Sequence, residues 1–408
     1  MWPIRVFWTV CGVFTADVGY NRFQYAYSAL LMATCVYNFV NASQVICKLD
    51  HWCVTFSSTL TGVYDRVLSS TAFLSRIAVV YDCEPNISRY LATIGAFEAY
   101  SPPSAAELRR HRAFSLTVVA ACLAAIVPSN AISMYYLCRY EPNTDASFIV
   151  YHLFMYVQNL SMCCIETQFA VQCFKAYTKF RCVNDDLKRL KVESANGSEY
   201  PFMSATAAGS SPATPPALLQ TSPTSPPPPP STVVYDKDFY HRSRSASQPM
   251  ANAIELLRIK HWLIRQSIDA LNNLFGVHMG LSVFYLWLMA LFDIYYEMFY
   301  NSRSELLVYC WLLQYALRLL MIILMAHFTT KQAFESKSLI TDINNGIMDS
   351  STKEELQLFI NQICSSSTEF NAYDFFTLNT QVIKSAIAAG ATCLVILVQF
   401  HSGKNELI

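Results

Sequence analysis

The sequence predicts an all-α fold, a polytopic membrane protein with seven transmembrane helices, and three observations lead there. The 408 residues are 53% hydrophobic, 14% aromatic and only 14% charged, whereas soluble domains carry about 25% charged residues. The apolar residues gather into seven runs that each reach the roughly 20 residues a helix needs to cross a hydrocarbon core of about 30 Å. These runs are continuous, unlike the alternating segments of about ten residues from which closed barrels, the other solution to backbone pairing in lipid, are built.

The first run, 27–47, follows a short segment, 1–26, that holds Arg5 and Arg22. Within it "VFWTVCGVF" (6–14) has the apolar look of a signal-peptide core, but its cleavage-side residues are indifferent and its removal would leave the charge pattern unexplained. The second run, 54–81, contains Asp65-Arg66, and the third, 113–137, follows a loop with Arg89, Arg109, Arg110 and Arg112. The fourth is 148–174. Residues 175–276 then form a long loop with helix extensions and a Pro/Ser-rich insertion at about 197–250. The fifth and sixth runs, 277–299 and 306–328, are joined by a short turn; residues 329–378 precede the seventh, 379–400, and a tail, 401–408, follows it.

Orientation follows from Lys and Arg, which cytoplasmic loops retain. The first segment, the second loop, the stretch from 175 to 265 with twelve such residues, and the loop with Lys331, Lys337 and Lys353 all lie on one side. The other side carries Lys48, Arg139, Arg303 and Lys404. The N-terminus is therefore expected to be cytoplasmic and the C-terminus extracellular. That orientation is the wrong one for a G-protein-coupled receptor, whose inner third-helix pattern has one echo here, Asp65-Arg66, inside the second run. The seventh run holds "LNTQVI" with no Asn-Pro pair, and no cytoplasmic tail follows. A transporter or scaffold is the other alternative; paired repeats with broken helices, the transporter's mark, are not found. Locating the C-terminus with a tag separates a channel of this topology from a G-protein-coupled receptor.

The end of the chain carries a resemblance. "ATCLVILVQF" is similar to the signature of arthropod gustatory receptors, a seven-helix chemoreceptor superfamily related to insect odorant receptors. That signature is Thr-Tyr, five hydrophobic residues and Gln-Phe, met here by Thr392, Leu394 to Val398, Gln399 and Phe400. Cys393 stands where the family has Tyr. "RCVNDDLKRL" (181–190), "IKHWLIRQSIDALNNLFG" (259–276) and "FNAYDFFTLN" (370–379) resemble the family too. The resemblance implies a ligand-gated, poorly selective cation channel, a homo- or heterotetramer with other gustatory receptors, in which the last helix of each subunit lines a central pore. It also implies a tastant pocket inside each subunit's bundle and a cytoplasmic anchor that includes 329–378. In the sugar-sensing branch an acidic residue follows Thr-Tyr; Leu394 follows here, which points to a bitter or other non-sugar compound. The implied location is the plasma membrane of a sensory neuron's dendrite.

Read on its own, the seventh run carries Ser385, Thr392 and Gln399 seven residues apart, so each step drifts the face by only about 20°. Val395 and Ile396 fill the turns between them and Phe400 closes the run. Such a stripe either lines a pore or glues helices together; periodicity alone weighs the two equally, and the resemblance favours the pore. Charges inside helices ask for partners, because an uncompensated one costs at least about 2.5 to 3.5 kcal/mol. Arg318 and Asp65 sit at equal counts from the outer ends of their runs and form a candidate pair, the alternative being that each faces a hydrated cavity; Glu166 and Asp293 lie at other depths. Tyr151, Tyr156, Tyr285, Trp311 and Tyr315, with Gln158 and Gln314, gather near the outer halves of the fourth to sixth runs. They read as an apolar pocket with a few placed polar groups, or residue by residue as an interfacial aromatic belt.

The stretch "GSSPATPPALLQTSPTSPPPPPSTVV" (209–234) is too rich in proline for helix or sheet. It is either a tolerated linker insertion or a contact for SH3 or WW domains and kinases, through Ser222-Pro223, Ser225-Pro226 and "RSRSAS". Fourteen cysteines show no Cys-x-x-Cys pair and eight histidines no metal spacing. No metal, cofactor, nucleic acid or catalytic chemistry is expected; membrane lipid is the expected surroundings. The sequons at Asn41, Asn86, Asn159 and Asn196 fall in helices or on the cytoplasmic side, so no glycan is expected.

Overall fold

The computed structural model describes residues 2–13, 22–49, 56–140, 145–196, 249–300, 305–344, 349–365, 367–373 and 375–405. Among the described residues the chain is almost wholly helical: α1 (Trp2–Val10), α2 (Arg22–Leu49), α3 (Phe56–Tyr100), α4 (Ala105–Tyr140), α5 (Ala146–Asn196), α6 (Pro249–Tyr300), α7 (Glu305–Asn344), α8 (Ser350–Cys364) and α9 (Thr380–Asn405). The seven expected runs fall in α2, α3, α4, α5, α6, α7 and α9. Five of these, α4, α5, α6, α7 and α9, are long and apolar enough to cross a membrane. The proline-rich stretch lies outside the described residues.

Several helices extend far past their apolar runs. α5 has 51 residues and α7 has 40, about 77 and 60 Å at 1.5 Å per residue. Neither contains a glycine or proline, and the amphipathic residues beyond the apolar run keep the helix going. Where the chain does break, the cause is local. "SPPS" (101–104) ends α3, since two consecutive prolines remove two backbone donors and constrain the residue before them, whereas the single prolines Pro85 and Pro128 are carried inside α3 and α4. Ser104 then caps α4, its Oγ accepting from Glu107 N at 3.1 Å, the start of a Ser-x-x-Glu capping pattern.

The chain forms two compact units: Met1–Arg181 with Trp262–Phe334 and Thr368–Ile408, and Cys182–His261 with Glu335–Ser367. The core of the larger unit contains Tyr151, Phe169, Tyr285, Tyr295, Tyr315 and Phe370, all at most 1% exposed. Phe169 meets Phe275 and Phe370 edge to face at 5.8 and 5.5 Å. Cys122 and Cys163 bring their sulfur atoms together beside Ile126 and Leu160. The smaller unit is tied by ion pairs, Lys188 to Glu335 and Lys191 to Asp342 at 2.7 and 2.8 Å, and by a hydrogen bond from Ser336 to Asn184. α8 turns Thr352, Glu355, Leu356, Phe359 and Ile363 inward, one face at helical spacing, with Phe359 edge-on to His261.

Residues read from sequence as part of a cytoplasmic lead-in include a helix seated within the larger unit. Ile4, Trp8 and Val13 of this segment are buried. The Trp8 indole donates to Thr167 Oγ1 at 3.2 Å and Ser161 Oγ donates to the Cys11 carbonyl at 2.6 Å. α1 stops at Gly12, whose φ is +75°. The Gly12 N–H bonds to Thr9 O and the Val13 N–H to Trp8 O, the paired bonds of a Schellman motif. A Cβ at Gly12 would lie 2.5 Å from Leu31 Cδ1 and 2.9 Å from Arg76 Nη1, so the site requires glycine for space as well as for conformation.

Candidate ligand site and pore helix

Among the described residues of the larger unit a fully buried ion pair joins α5 and α7. Arg318 of α7 donates from Nε and Nη2 to the two oxygens of Glu166 on α5, both at 2.7 Å, and from Nη1 to Asn159 Oδ1 at 2.6 Å. Glu166 is 0% and Arg318 3% exposed. A bidentate pair with a further acceptor is what a buried guanidinium needs. The expected pairing of Arg318 with Asp65 is therefore corrected: the carboxylate on Arg318 is Glu166. Asp65 instead accepts from the Tyr151 hydroxyl at 2.8 Å. Asn159 and Glu166, seven residues apart, lie on one stripe of α5, a signal the sequence did contain.

Three of the aromatic candidates come together above this pair in the chain of contacts. Tyr285 of α6 and Tyr315 of α7 meet edge to face at 6.4 Å, and Tyr315 meets Trp311 at 5.9 Å. The Arg318 guanidinium lies 6.0 Å from the Tyr285 ring, and the Tyr315 and Tyr64 hydroxyls share a hydrogen bond at 2.8 Å. The other candidates have different neighbours. Gln314 accepts from Ser129 Oγ at 2.9 Å, Tyr156 donates to Ser133 at 2.8 Å, and Gln158 Nε2 reaches Thr34 Oγ1 at 3.4 Å. Gln158 Oε1, Asn159 Nδ2 and Gln314 Nε2 are buried without a hydrogen-bond partner, each at a cost of about 1–3 kcal/mol. Tyr64, Asn159 and Glu166 were not singled out as site residues from sequence; an isolated tyrosine on a long apolar helix carries no signal of its partner.

α9 is the least covered of the long helices. Ser385, Thr392, Val395, Ile396 and Gln399 are all exposed on the isolated chain, whereas Leu394 and Leu397 are half-buried. The Thr392 hydroxyl turns back to the Ala388 carbonyl at 3.0 Å. Phe400 lies in the helix, but its side chain is outside the described residues. Asn379 precedes the helix, its Oδ1 accepting from Gln381 N at 2.9 Å. The segment leading into it is pinned by Leu378 N to Phe370 O at 2.7 Å and Ala372 N to Phe376 O at 2.9 Å. Among the described residues no group of three or more His, Cys, Asp and Glu side chains is placed to hold a metal ion.

Residues 104–403 match the family model of the 7tm chemosensory receptors. The chain belongs to this chemosensory receptor family. It is thus a multi-pass membrane receptor, and the matched region holds α4 to α8 and α9 up to residue 403. The receptor is similar in fold to the insect olfactory receptor OR5 from Machilis hrabei, with a TM-score of 0.61 over 98% of this chain and 97% of that one at 10% identity. The same figures hold for OR5 in complex with eugenol. No curated protein matches the receptor in sequence.

Proposed function

We propose that this chemosensory receptor is a gustatory receptor, a tastant-gated, non-selective cation channel that assembles as a homo- or heterotetramer in the plasma membrane of a sensory neuron's dendrite. The observation that carries the reading is the uncovered stripe of α9. Ser385, Thr392, Val395, Ile396 and Gln399 sit at helical spacing on a helix that the rest of its own chain barely buries. A polar stripe left bare on an apolar helix finds its partners in other subunits or in water. Four such helices around an axis, with the N-terminus cytoplasmic, would place the Gln399 amides at the extracellular end. Apolar rings close a pore by dewetting and amides replace lost hydration. No acidic side chain lies on the stripe, in keeping with little discrimination among monovalent cations. The pocket reading rests on Tyr285, Trp311 and Tyr315, beside which Arg318 is held by Glu166 and Asn159, a set suited to a small, mostly apolar molecule with a few polar atoms; a receptor of the same fold has been captured with eugenol. A bitter or other non-sugar tastant is favoured by Leu394 after Thr392-Cys393.

Current recording from cells expressing this chain alone, during a ligand screen, tests conduction and autonomy together. Gln399→Ala is expected to reach the surface and to alter single-channel current or ion preference. Wild-type permeation in that variant would make the stripe helix glue.

A further inference from the structure

A pocket around Tyr285 and a pore along α9 need a mechanical link, and one face of α6 supplies it. Asn272 Nδ2 donates to the Glu369 carbonyl at 2.8 Å while its Oδ1 accepts from Asn371 N at 3.2 Å. One turn on, Gly276 lies so near the segment leading into α9 that a Cβ would stand 3.0 Å from Asn371 O and 3.2 Å from Tyr373 N. At Gly280 a Cβ would meet that of Ala372 at 3.3 Å. Two turns further, the Trp287 indole donates to the Ala386 carbonyl of α9 at 2.8 Å. Gly390, one turn along α9, keeps the space open; a Cβ there would lie 3.4 Å from Trp287 Nε1 and 3.9 Å from Leu291 Cδ1. Positions 272, 276, 280, 287 and 291 recur at intervals of four and seven, so they form a single track along α6.

Tyr285 stands about 160° around the same helix from Trp287 at 100° per residue, where it meets Tyr315 and Arg318. The two faces of α6 thus touch the pocket candidates and the pore helix. The bond to Ala386 is a second one for that carbonyl, whose other lone pair serves the helix ladder; it does not disrupt α9. Because α9 is so little buried, this directional bond is one of the few specific contacts that fix its position.

We propose that Trp287 is the positioning residue that couples the tyrosine cluster to the pore helix, its indole N–H holding α9 at Ala386 while the bare edge of Gly390 admits the ring. The proposal rests on α9 lining the pore. When a ligand shifts α6 at Tyr285, the clamp carries α9 with it.

The test needs no tastant. In the full-length chain Trp287 is replaced by benzothienylalanine, which keeps the shape of the indole and lacks the N–H, and in a second variant by Phe. Open probability without ligand, single-channel current, and amide exchange over residues 380–392 of the purified chain are then measured, alone and combined with Tyr285→Phe. Loss of one hydrogen bond predicts a change in open probability and in exchange of about three- to ten-fold, with single-channel current unchanged. The effect of Tyr285→Phe on open probability should largely vanish once the clamp is gone. Independent, multiplying effects of the two substitutions would overturn the coupling, as would an unchanged open probability. If the wild-type chain carries no current, the pore reading is what fails and coupling falls with it, while the exchange rates still decide whether the clamp holds α9.

Discussion

Arg318 is a demanding side chain, since its charge is buried and each of its three nitrogens, which share five N–H groups, needs an acceptor. Glu166 and Asn159 supply them. Removing one partner of such a pair leaves the other uncompensated, at a cost of about 3–5 kcal/mol, whereas replacing both by apolar residues of similar size is often neutral. Glu166→Gln is therefore expected to lose most folded receptor from the cell surface, and Glu166→Leu with Arg318→Met to regain much of it, as measured by surface labelling and thermal unfolding. Asp65→Asn should be far milder, because an amide oxygen still accepts from Tyr151. The need for a partner was legible in the sequence, and the stripe of Asn159 and Glu166 that supplies it was present there but was outweighed by the depth count that favoured Asp65. Counting residues from the ends of apolar runs assumes that the runs start in one plane, but Glu166 lies about 30 Å along α5 and Arg318 about 20 Å along α7. The same limit applied to the aromatic candidates: Tyr285, Trp311 and Tyr315 meet, while Tyr151, Tyr156, Gln158 and Gln314 bond elsewhere.

At the scale of elements, helices were easy to place and hard to end. Hydropathy marks where lipid gives way to water, and α5, α6 and α7 cross that border without breaking. α8 is set by its cap. Asp349 Oδ2 accepts from Thr352 N at 3.1 Å and from Ser351 Oγ at 2.8 Å. Hydrogen bonding, from the Thr352 side chain first, then from the Ser351 hydroxyl and the Thr352 backbone, holds its carboxyl below the ordinary aspartate range. Asp349→Ala should weaken the helix by about 0.5–2 kcal/mol, with Asn largely tolerated. A depressed value in the folded state means that the cap's contribution is complete above the unfolded value of about 3.9 and disappears as pH falls through the folded value. The protection of the α8 amides relative to their intrinsic exchange should therefore be flat around neutrality and fall only in acid. Gly276→Ala is the matching experiment on α6. Its Cβ would press on backbone at Asn371 rather than on a flexible side chain, so the segment into α9 must shift, and gating should change even where surface expression survives.

Across the whole molecule the two compact units differ in what holds them, aromatic and apolar burial in one and surface ion pairs with an amphipathic α8 in the other. The proline-rich stretch belongs to the sequence interval of the smaller unit. Loop-closure entropy changes by only about 0.6 kcal/mol per doubling of length. Deleting residues 205–245 should thus leave assembly and conduction intact, as checked by native gel and current recording; loss of the assembled receptor would show that the stretch is structural.

The seat of α1 has a consequence for biosynthesis. Trp8 and Thr167 are 159 residues apart in the chain, and at about 5–20 residues per second the ribosome takes roughly 8 to 32 s to cover that distance. Through that interval the α1 turn can meet only its earlier neighbours, Leu31 of α2 and Arg76 of α3 among them. The bonds from Trp8 to Thr167 and from Ser161 to Cys11 close once α5 has been made, so the seat of α1 is completed in two stages.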